Sequence, residues 1–541
     1  MLQHCPLCWL LIYWSLMPLI IPVMSFCPPR CDCNEVKLLV FCNSTQIDLV
    51  PIMLNPQLKE LYLSENRVKN VYSSFTMYHE LKYLDLSYNL ITDLGKRSFI
   101  MQKKLRVLLL NGNKITQINN LSFHGLNSMN LLNLQQNQLT ELHSRIFMGL
   151  NRLETLDLSF NQISFINKES FFGLLNLKQL NLHANKLKQV PSHSFFHLQS
   201  LAKLNLAANL FSQLTELAFS PLILLQELWL DSNHISQVSV RAFVHLQNLT
   251  YLDLENNKLF NVPTESFLQL SSLQVLILSR NLIGVLRLNA FRGLTQLRTL
   301  IISNTPLSHI DRDAFRDNVH LTKLIMENNR QLATIPQSIF ASQFHSLMYL
   351  SLRANRLSSL EYGTFNLDQV EYLDLQDNPW VCNCSLSWLI DCLRSWNQSD
   401  SLKEQVKCFR PAAHTGKILI TLSRSDLFCP TLNATLESTL NVVIGITMGL
   451  LIILLLLFCL RFKPRNRCLG RRRSHTEGHS EHIVNNATKS RLDHSLYYPA
   501  IINEEFTRDK HYHTMTTSTR TSALSVDLHP PPVQYVPIAH I

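Results

Sequence analysis

The sequence predicts an α/β solenoid, in which short parallel strands are stacked coil on coil, followed by one membrane-spanning helix and a disordered tail. Three observations lead to this fold class. A leucine pattern recurs through most of the 541 residues, a group of cysteines stands at each end of the repeated region, and an uninterrupted apolar run follows it. Self-similarity at a fixed period of about 20–50 residues is the signature of repeat architectures.

The repeat has the pattern L-x-x-L-x-L-x-x-N. It first appears as LKELYLSEN, and its final asparagine then recurs at one constant spacing, from Asn89 and Asn113 through to Asn329. Thr305 replaces the asparagine in one repeat. A leucine-rich-repeat horseshoe of about 14 repeats is therefore predicted over residues 58–378.

The spacing of the leucines predicts how each coil is built. In the L-x-L segment the leucines point to one side of a short strand and the middle residue points to the other. Leucines of adjacent coils then form one core, and middle residues lie on the concave face. The asparagine is expected to bond buried backbone groups. A phenylalanine series with the same period, from Phe75 to Phe315, is expected to fill the coil.

Four cysteines lie close together at each end of the repeats, where the open core of a solenoid needs a cover. The predicted caps are residues 27–57 and 379–430. Spacing alone leaves three disulfide pairings open in each cap. Zinc is the alternative, but a secreted chain oxidises its thiols, so disulfides are favoured, and neither a metal nor another cofactor is expected. The cysteines concerned are Cys27, Cys31, Cys33, Cys42, Cys382, Cys384, Cys408 and Cys429.

Two apolar runs predict the topology. Residues 1–26 are predicted to be a signal peptide although they contain no Lys or Arg, and an uncleaved anchor is the alternative. Residues 442–460 form an uninterrupted run without a charge, about 28 Å long as a helix. Seven Lys or Arg residues follow immediately, which places that side in the cytoplasm. A single-pass type I protein of the plasma membrane is predicted. Its juxtamembrane linker is residues 431–441 and its mostly disordered cytoplasmic tail is residues 461–541.

The formal charge is +10, but outside the tail the basic residues form no cluster in the sequence. Nucleic acid is therefore not expected as a partner. No catalytic motif appears in a suitable context, so an enzyme is not expected.

Cys392 has no partner within the predicted pairs. It is expected to be a buried thiol, and an intermolecular disulfide is the alternative. The end of the tail, residues 539–541, is expected to engage a cytoplasmic adaptor. Glycosylation is predicted at Asn43, Asn120, Asn248, Asn397 and Asn433.

The cysteine groups, with Asn-Pro-Trp shortly before Cys382, resemble the flanking modules of extracellular leucine-rich-repeat proteins. The resemblance implies the pairs Cys27–Cys33, Cys31–Cys42, Cys382–Cys408 and Cys384–Cys429. The constant repeat length, two cysteine caps, one span and a short tail together resemble the Capricious/Tartan group of neuronal and epithelial recognition proteins. That resemblance implies a role in selective cell–cell adhesion and target choice.

Apolar side chains become frequent at the concave positions of the later repeats, with charged residues beside them. Apolar anchors bordered by charge are typical of a protein interface, although β-branched and aromatic residues also simply suit strands. The predicted partner is a protein on the same or an opposing cell surface, homophilic or heterophilic. The alternative function is a receptor or co-receptor for a soluble ligand, in innate immunity. The predicted partner-binding residues are Trp229, Tyr251, Val275, Ile277, Ile301, Ile325 and Tyr349.

The predicted topology has a direct test. Protease added to intact cells that express the full chain should remove the repeats and spare a tag at the carboxy terminus, because the membrane shields residues 461–541. Immunoblotting for the tag measures the outcome. A tag that is digested before the cells are permeabilised would contradict the orientation.

Overall fold

The computed structural model describes residues 26–396, 403–427, 429 and 432–461. Its main element is a sheet of 16 strands that follow one another in chain order. Asp32–Asn34 and Leu39–Phe41 pair antiparallel in the amino-terminal cap, and the second of them begins the parallel series. The 14 repeat strands are Glu60–Tyr62, Tyr83–Asp85, Val107–Leu109, Leu131–Asn133, Thr155–Asp157, Gln179–Asn181, Lys203–Asn205, Glu227–Trp229, Tyr251–Asp253, Val275–Ile277, Thr299–Ile301, Lys323–Ile325, Tyr349–Ser351 and Tyr372–Asp374.

Alternation within each strand separates the core from the concave face, as the pattern predicts. Leu61 and Leu63 are fully buried, whereas Tyr62 between them is half-buried and faces outward. The buried leucines form one hydrophobic cluster that runs through all the repeats and both caps. The phenylalanine series lies inside this core, where Phe147 and Phe171 stack with centroids 6.2 Å apart. The predicted solenoid with capped ends is confirmed.

The asparagine that ends each motif joins two coils by hydrogen bonds. In one example the Asn185 amide donates to the carbonyl oxygens of Leu158 (3.0 Å) and Leu182 (3.1 Å). Its Oδ1 accepts from the backbone N–H of Ile163 at 2.9 Å. Leu158 and Ile163 belong to the preceding coil. The side chain thus satisfies buried backbone groups that have no partner in the sheet.

The residue before this asparagine has a left-handed backbone conformation in every repeat, as in Glu65 (φ 57°), Ser232 (φ 56°) and Asp377 (φ 56°). Non-glycine residues rarely adopt positive φ, but here it turns the chain inward at the end of each strand. Only Gly112 is a glycine at this position. The motif therefore imposes a conformation that the side-chain pattern did not predict.

The outer side of the solenoid contains turns and short elements. Three pairs of two-residue parallel strands occur there, and Thr264–Phe267 is the one α-helix that the structure describes within the repeats. The paired strands are Glu141–Leu142 with Phe165–Ile166, Gln213–Leu214 with Gln237–Val238, and Val285–Leu286 with His309–Ile310. The 3₁₀ helices are Ser192–His197 and Ala341–Gln343, followed in the carboxy-terminal cap by Cys384–Leu386, Ala412–His414 and Leu419–Thr421.

Disulfides close both caps. The carboxy-terminal cap contains the helix Ser387–Ser395 and a strand pair, Trp380–Val381 with Cys408–Arg410. Its tryptophans tie it to the last repeats; for example, Trp396 Nε1 donates to the Val370 carbonyl at 2.9 Å. The bonds are Cys27–Cys33, Cys31–Cys42, Cys382–Cys408 and Cys384–Cys429, the same pairs that the resemblance implies.

The last described element is the helix Leu432–Arg461. Its segment Thr439–Phe458 has a mean hydropathy of 2.8 and no burial, and it is the one helix among the described residues long and apolar enough to cross a membrane. The helix starts within the segment expected as a linker, residues 431–441, because no helix-breaking residue separates that segment from the apolar run. Residues 1–25 of the expected signal peptide and the tail beyond Arg461 lie outside the described residues.

Replacement of one of the asparagines that end the repeat motif should destabilise the solenoid. We expect Asn185→Ala to lower the free energy of unfolding by about 1–3 kcal/mol for each buried backbone group that loses its partner. The amide of Ile163 should also exchange faster with solvent. Urea unfolding and hydrogen exchange measure the two effects. Asn127→Ala, an exposed asparagine, is the control; equal stability of the two variants would contradict the structural role.

Candidate partner-binding surface

The sheet brings the predicted binding residues of repeats ten to twelve into one apolar row. Ile277, Ile301 and Ile325 occupy the same position in three adjacent strands, since Ile277 pairs with Ile301 and Ile301 pairs with Ile325. Val275 lies beside Ile277 at the other outward-facing position of its strand. All four side chains are half-buried. They are accessible from the concave face and are supported from below by the leucine core.

Aromatic pairs lie beyond both ends of this row. On one side Trp229 and Tyr251 have ring centroids 5.4 Å apart. On the other side Tyr349 stacks on Tyr372 at 4.1 Å and 5°. The Lys323 ammonium lies 4.4 Å from the centroid of the Tyr349 ring. We call the surface formed by the predicted binding residues and Tyr372 the apolar strip. Tyr372 is not among the predicted residues; it is the outward-facing residue of the last repeat, whose motif begins with Val370 instead of leucine.

A second apolar patch, which the sequence analysis did not identify, lies at the amino-terminal end of the concave face. Phe41 stacks on Tyr62 at 4.4 Å, and Tyr62 contacts Tyr83 at 4.8 Å. Val107 and Leu109 continue the patch in the next strand. The signal was present in the pattern, but Phe41 lies in the cap before the first complete motif. Only the structure shows that the cap strand joins the sheet.

Polar residues at the third position of a strand have a structural use. In seven repeats an Asp or Asn side chain there accepts a hydrogen bond from the backbone N–H two residues later and holds the turn. In one example, Asp157 Oδ1 accepts from Ser159 N at 2.8 Å. The residues concerned are Asp85, Asn133, Asp157, Asn181, Asn205, Asp253 and Asp374.

The three stacked isoleucines occupy this same position and cannot make that bond. Serines of neighbouring coils take over part of the task. Ser279 Oγ accepts from the backbone N–H of Ser303 at 3.0 Å, and Ser303 Oγ accepts from that of Glu327 at 2.9 Å. The turns of repeats eleven and twelve are thus held by other means, and the strand positions are available for apolar side chains.

Carboxylates flank the strip near Trp229. Burial raises the pKa of Asp253 to about 7, and the nearby Asp231 and Glu255 carboxylates add to the rise. The Tyr251 hydroxyl donates to Asp253 Oδ2 at 3.2 Å, which partly offsets it. Burial likewise raises the pKa of Asp231. This edge of the strip is therefore acidic above pH 7.

The other predicted residues have separate locations. Asn43, Asn120 and Asn248 are exposed, and the Asn248 amide donates to the Ile223 carbonyl at 2.9 Å. Asn397 and the Asn433 side chain lie outside the described residues. Cys392 is a half-buried free thiol in the carboxy-terminal cap, and burial raises its pKa. The glycosylation sites remain predictions.

The family of the protein follows from the repeats. Eight overlapping matches to the family described as leucine-rich repeat extend from residue 56 to residue 379. The chain belongs to the leucine-rich-repeat family. The helix Thr439–Phe458 and the disulfide-bonded caps are together features of a single-pass membrane protein.

Two relatives share short stretches with the chain. SLIT and NTRK-like protein 6 of Mus musculus is 35% identical over 91 residues, which are 16% of this chain and 11% of the relative. Trophoblast glycoprotein of Macaca fascicularis is 29% identical over 122 residues, which are 18% of this chain and 29% of the relative. The chain thus matches less than a third of either protein.

Solved structures show the same fold. The structure of the Toll–Spatzle complex aligns with a TM-score of 0.61 and 21% identity, over 72% of this chain and 58% of that one. The LRIM1/APL1C complex aligns with a TM-score of 0.53 and 21% identity, over 80% and 76%. At these identities the likeness concerns the fold alone.

The raised pKa of Asp253 predicts a pH dependence of stability. Between about pH 4 and pH 7 the folded protein holds a proton that the unfolded chain has released, so the free energy of unfolding should fall as the pH rises. Asp253→Asn removes this contribution and keeps the acceptor for the Glu255 N–H. Its stability relative to the unchanged protein should therefore increase from pH 5 to pH 7.5 and then level off.

Urea unfolding at pH 5, 6 and 7.5 measures this difference. Asp313→Asn, at an exposed position on the outer side, is the matched control and should show no such trend. Parallel stability curves for Asp253→Asn and the unchanged protein would contradict the assignment.

Proposed function

We propose that the protein is a cell-surface recognition receptor that binds a protein partner through the apolar strip. The observation that carries the proposal is the row of Ile277, Ile301 and Ile325 on the concave face. Seven other repeats use the same strand position to hold their turns with Asp or Asn. Isoleucine side chains at this position cannot accept that hydrogen bond. Binding of a protein partner would explain why apolar side chains occur there instead.

Strand propensity is the competing explanation for these residues. It predicts β-branched side chains wherever the chain is extended. Yet polar side chains occupy the third strand position from repeat four to repeat seven. The concentration of apolar residues in repeats eight to fourteen, with aromatic pairs at both borders, supports a role for the strip in binding.

Size and charge define the partner. Repeats eight to fourteen cover six strand spacings, about 29 Å at about 4.8 Å each, which suits one protein partner of ordinary interface size. Acidic groups outnumber basic ones beside the strip. Asp231 and Asp253 lie near Tyr251. Glu327 and Asp374 lie near Tyr349, where Lys323 supplies a cation. We expect a partner whose apolar side chains are surrounded by Lys and Arg, because complementary charges speed association and select the partner.

The strip is favoured over the amino-terminal patch as the main site. Asn43, a predicted glycosylation site, follows Phe41 by two residues, and its Oδ1 accepts from the Ser64 N–H at 3.1 Å. A glycan there would cover part of the Phe41–Tyr62 stack. No predicted glycosylation site lies on the strand face of repeats eight to fourteen.

With the repeats outside a plasma membrane, partner binding would occur in selective contact between cells, such as neuronal target choice. The resemblance to the Capricious/Tartan group supports this function. A receptor for a soluble ligand is the second candidate. It is favoured by the shared fold of the Toll chain, whose solved structure is a complex with Spatzle. The two functions differ in whether cells that bear the protein sort from others.

The strip can be tested without disturbing the core. Trp229→Ala with Tyr251→Ala, and separately Ile277→Glu with Ile301→Glu, should reach the cell surface in normal amounts, because these side chains lie outside the leucine layer. Each pair should abolish sorting of cells that express the full chain. A hot-spot residue typically contributes about 2 kcal/mol or more, roughly 30-fold in affinity. Mixed-cell aggregation measures sorting, and surface staining measures trafficking.

Thr155→Ala with Gln179→Ala is the matched control, since both residues face the concave side in the polar middle repeats. Normal sorting by both strip variants, with loss of sorting in this control, would place the site elsewhere. If the unchanged protein does not sort cells but retains a secreted factor, and the strip variants lose it, the soluble-ligand function is the correct one.

A further inference from the structure

A cleft of about 420 Å³ lies beside the starts of the strands in repeats two to five. It is outside the apolar strip and plays no part in the function proposed above. Four of its six lining residues are cationic. The lining residues are Lys82, Lys104, Arg106, Ser128, Asn130 and Arg152.

The repeat brings these residues together from four successive coils. Lys82, Arg106 and Asn130 each precede a strand and are separated by one repeat period, so they occupy the same place in adjacent coils. The backbone N–H of Arg106 donates to the Lys82 carbonyl at 2.8 Å, which fixes their spacing. Lys104, Ser128 and Arg152 form a second row two residues earlier. Both rows run along the array, across the coils.

Most of the positive charge in the cleft is uncompensated. Lys104 forms an ion pair with Glu80 at 2.6 Å. Lys82, Arg106 and Arg152 are exposed and, within the part of the chain that the structure describes, form no ion pair with a carboxylate. Glu154, the next residue in the first row, is paired with Lys178 at 3.0 Å. Four cations against one carboxylate leave three unpaired positive charges over four coils.

The lining also defines the chemistry of the ligand. Arg and Lys bind sulfate, phosphate and carboxylate groups, and the arginine fork can bind two anionic oxygens at once. Ser128 and Asn130 add neutral hydrogen-bonding groups between the cations. Aromatic rings, on which single-stranded nucleic acids stack their bases, are absent from the lining. The rows favour an extended ligand that carries repeated anionic groups and hydroxyls.

We propose that this cleft binds a sulfated polysaccharide chain that lies along repeats two to five. Such a chain presents sulfate and carboxylate groups at intervals and contacts cations in successive coils. Because the cleft is distant along the array from repeats eight to fourteen, the polysaccharide and the protein partner would use separate surfaces. The site would attach the protein to polyanionic glycans at the cell surface or in the surrounding matrix.

The test uses the full chain in nanodiscs of uncharged lipid and a size-defined heparin octasaccharide as the probe. The unchanged protein should bind heparin at about 0.15 M salt and should not bind the same octasaccharide after desulfation. Lys82→Ser with Arg106→Ser and Arg152→Ser should weaken binding roughly tenfold or more. The magnitude of the slope of log affinity against log salt should fall by roughly two to three. Each contact between a cation and an anionic group releases about one counterion, and the variant loses three such cations.

A matched control replaces three exposed cations elsewhere, Arg287→Ser with Arg292→Ser and Arg298→Ser; Arg298 occupies the same coil position as Arg106. It should change affinity less than about twofold, and both triple variants should keep the melting temperature, because all six side chains are exposed. The basic residues after position 460 are identical in both.

Two results would overturn the proposal. In the first, the cleft variant and the control bind heparin equally well or lose it equally, which would mean that binding depends on net charge or on the tail. In the second, an RNA octamer binds more tightly than heparin and depends on the same three residues, which would make the cleft a nucleic-acid site.

Discussion

The structure depends on hydrogen bonds between coils that the asparagines at the end of the repeat motif make. A strand of three residues forms few backbone bonds, and the turn after it buries N–H and carbonyl groups that the sheet cannot satisfy. Asn185 bonds such groups in its own coil and in the preceding one. The left-handed residue before the asparagine brings the amide into the core. Coils can stack at a constant spacing only because the asparagine and its hydrogen bonds recur in successive coils.

The repeat containing Thr305 shows how much of this arrangement can change. The Thr305 hydroxyl donates to Asn329 Oδ1 at 2.8 Å, and so does its backbone N–H at 2.9 Å. The asparagine of the following coil, Asn329, therefore accepts both hydrogen bonds that Thr305 donates, and the sheet continues without a break. The next asparagine, Asn355, shifts in turn and bonds Asn329 N. A side chain that satisfies fewer groups is accommodated by its neighbours.

Constant stacking also explains both proposed binding surfaces. Residues one repeat period apart in sequence become neighbours at about 4.8 Å, so one substitution repeated in three coils produces a continuous row. The isoleucine row on the concave face and the Lys82–Arg106 row at the strand starts arise in the same way. The faces differ in function because the outward-facing strand positions rest on the leucine core and stay half-buried, whereas the residues before the strands are exposed and suit charge.

Burial also sets the electrostatics of the concave face. Asp253 keeps its turn bond to the Glu255 N–H, but its carboxylate lies close to two other acids and is mostly shielded from water. Its pKa rises as a result, and a bond that stabilises one turn is opposed by the cost of burying charge. Next to the strip, Ser279 and Ser303 hold turns without any charge.

The sequence by itself determined the solenoid, its disulfide-bonded ends and the apolar helix, because each depends on a periodic or local pattern that any chain with these residues must satisfy. It also indicated that Ile277, Ile301 and Ile325 share one face. Only the tertiary structure showed that Tyr372 completes the strip, that Phe41 extends the sheet into the cap, and that four dispersed cations form a cleft. These features depend on side-chain contacts between coils, which exist only in the folded chain, and on how the cap strand and the irregularly spaced last repeats pair with the sheet.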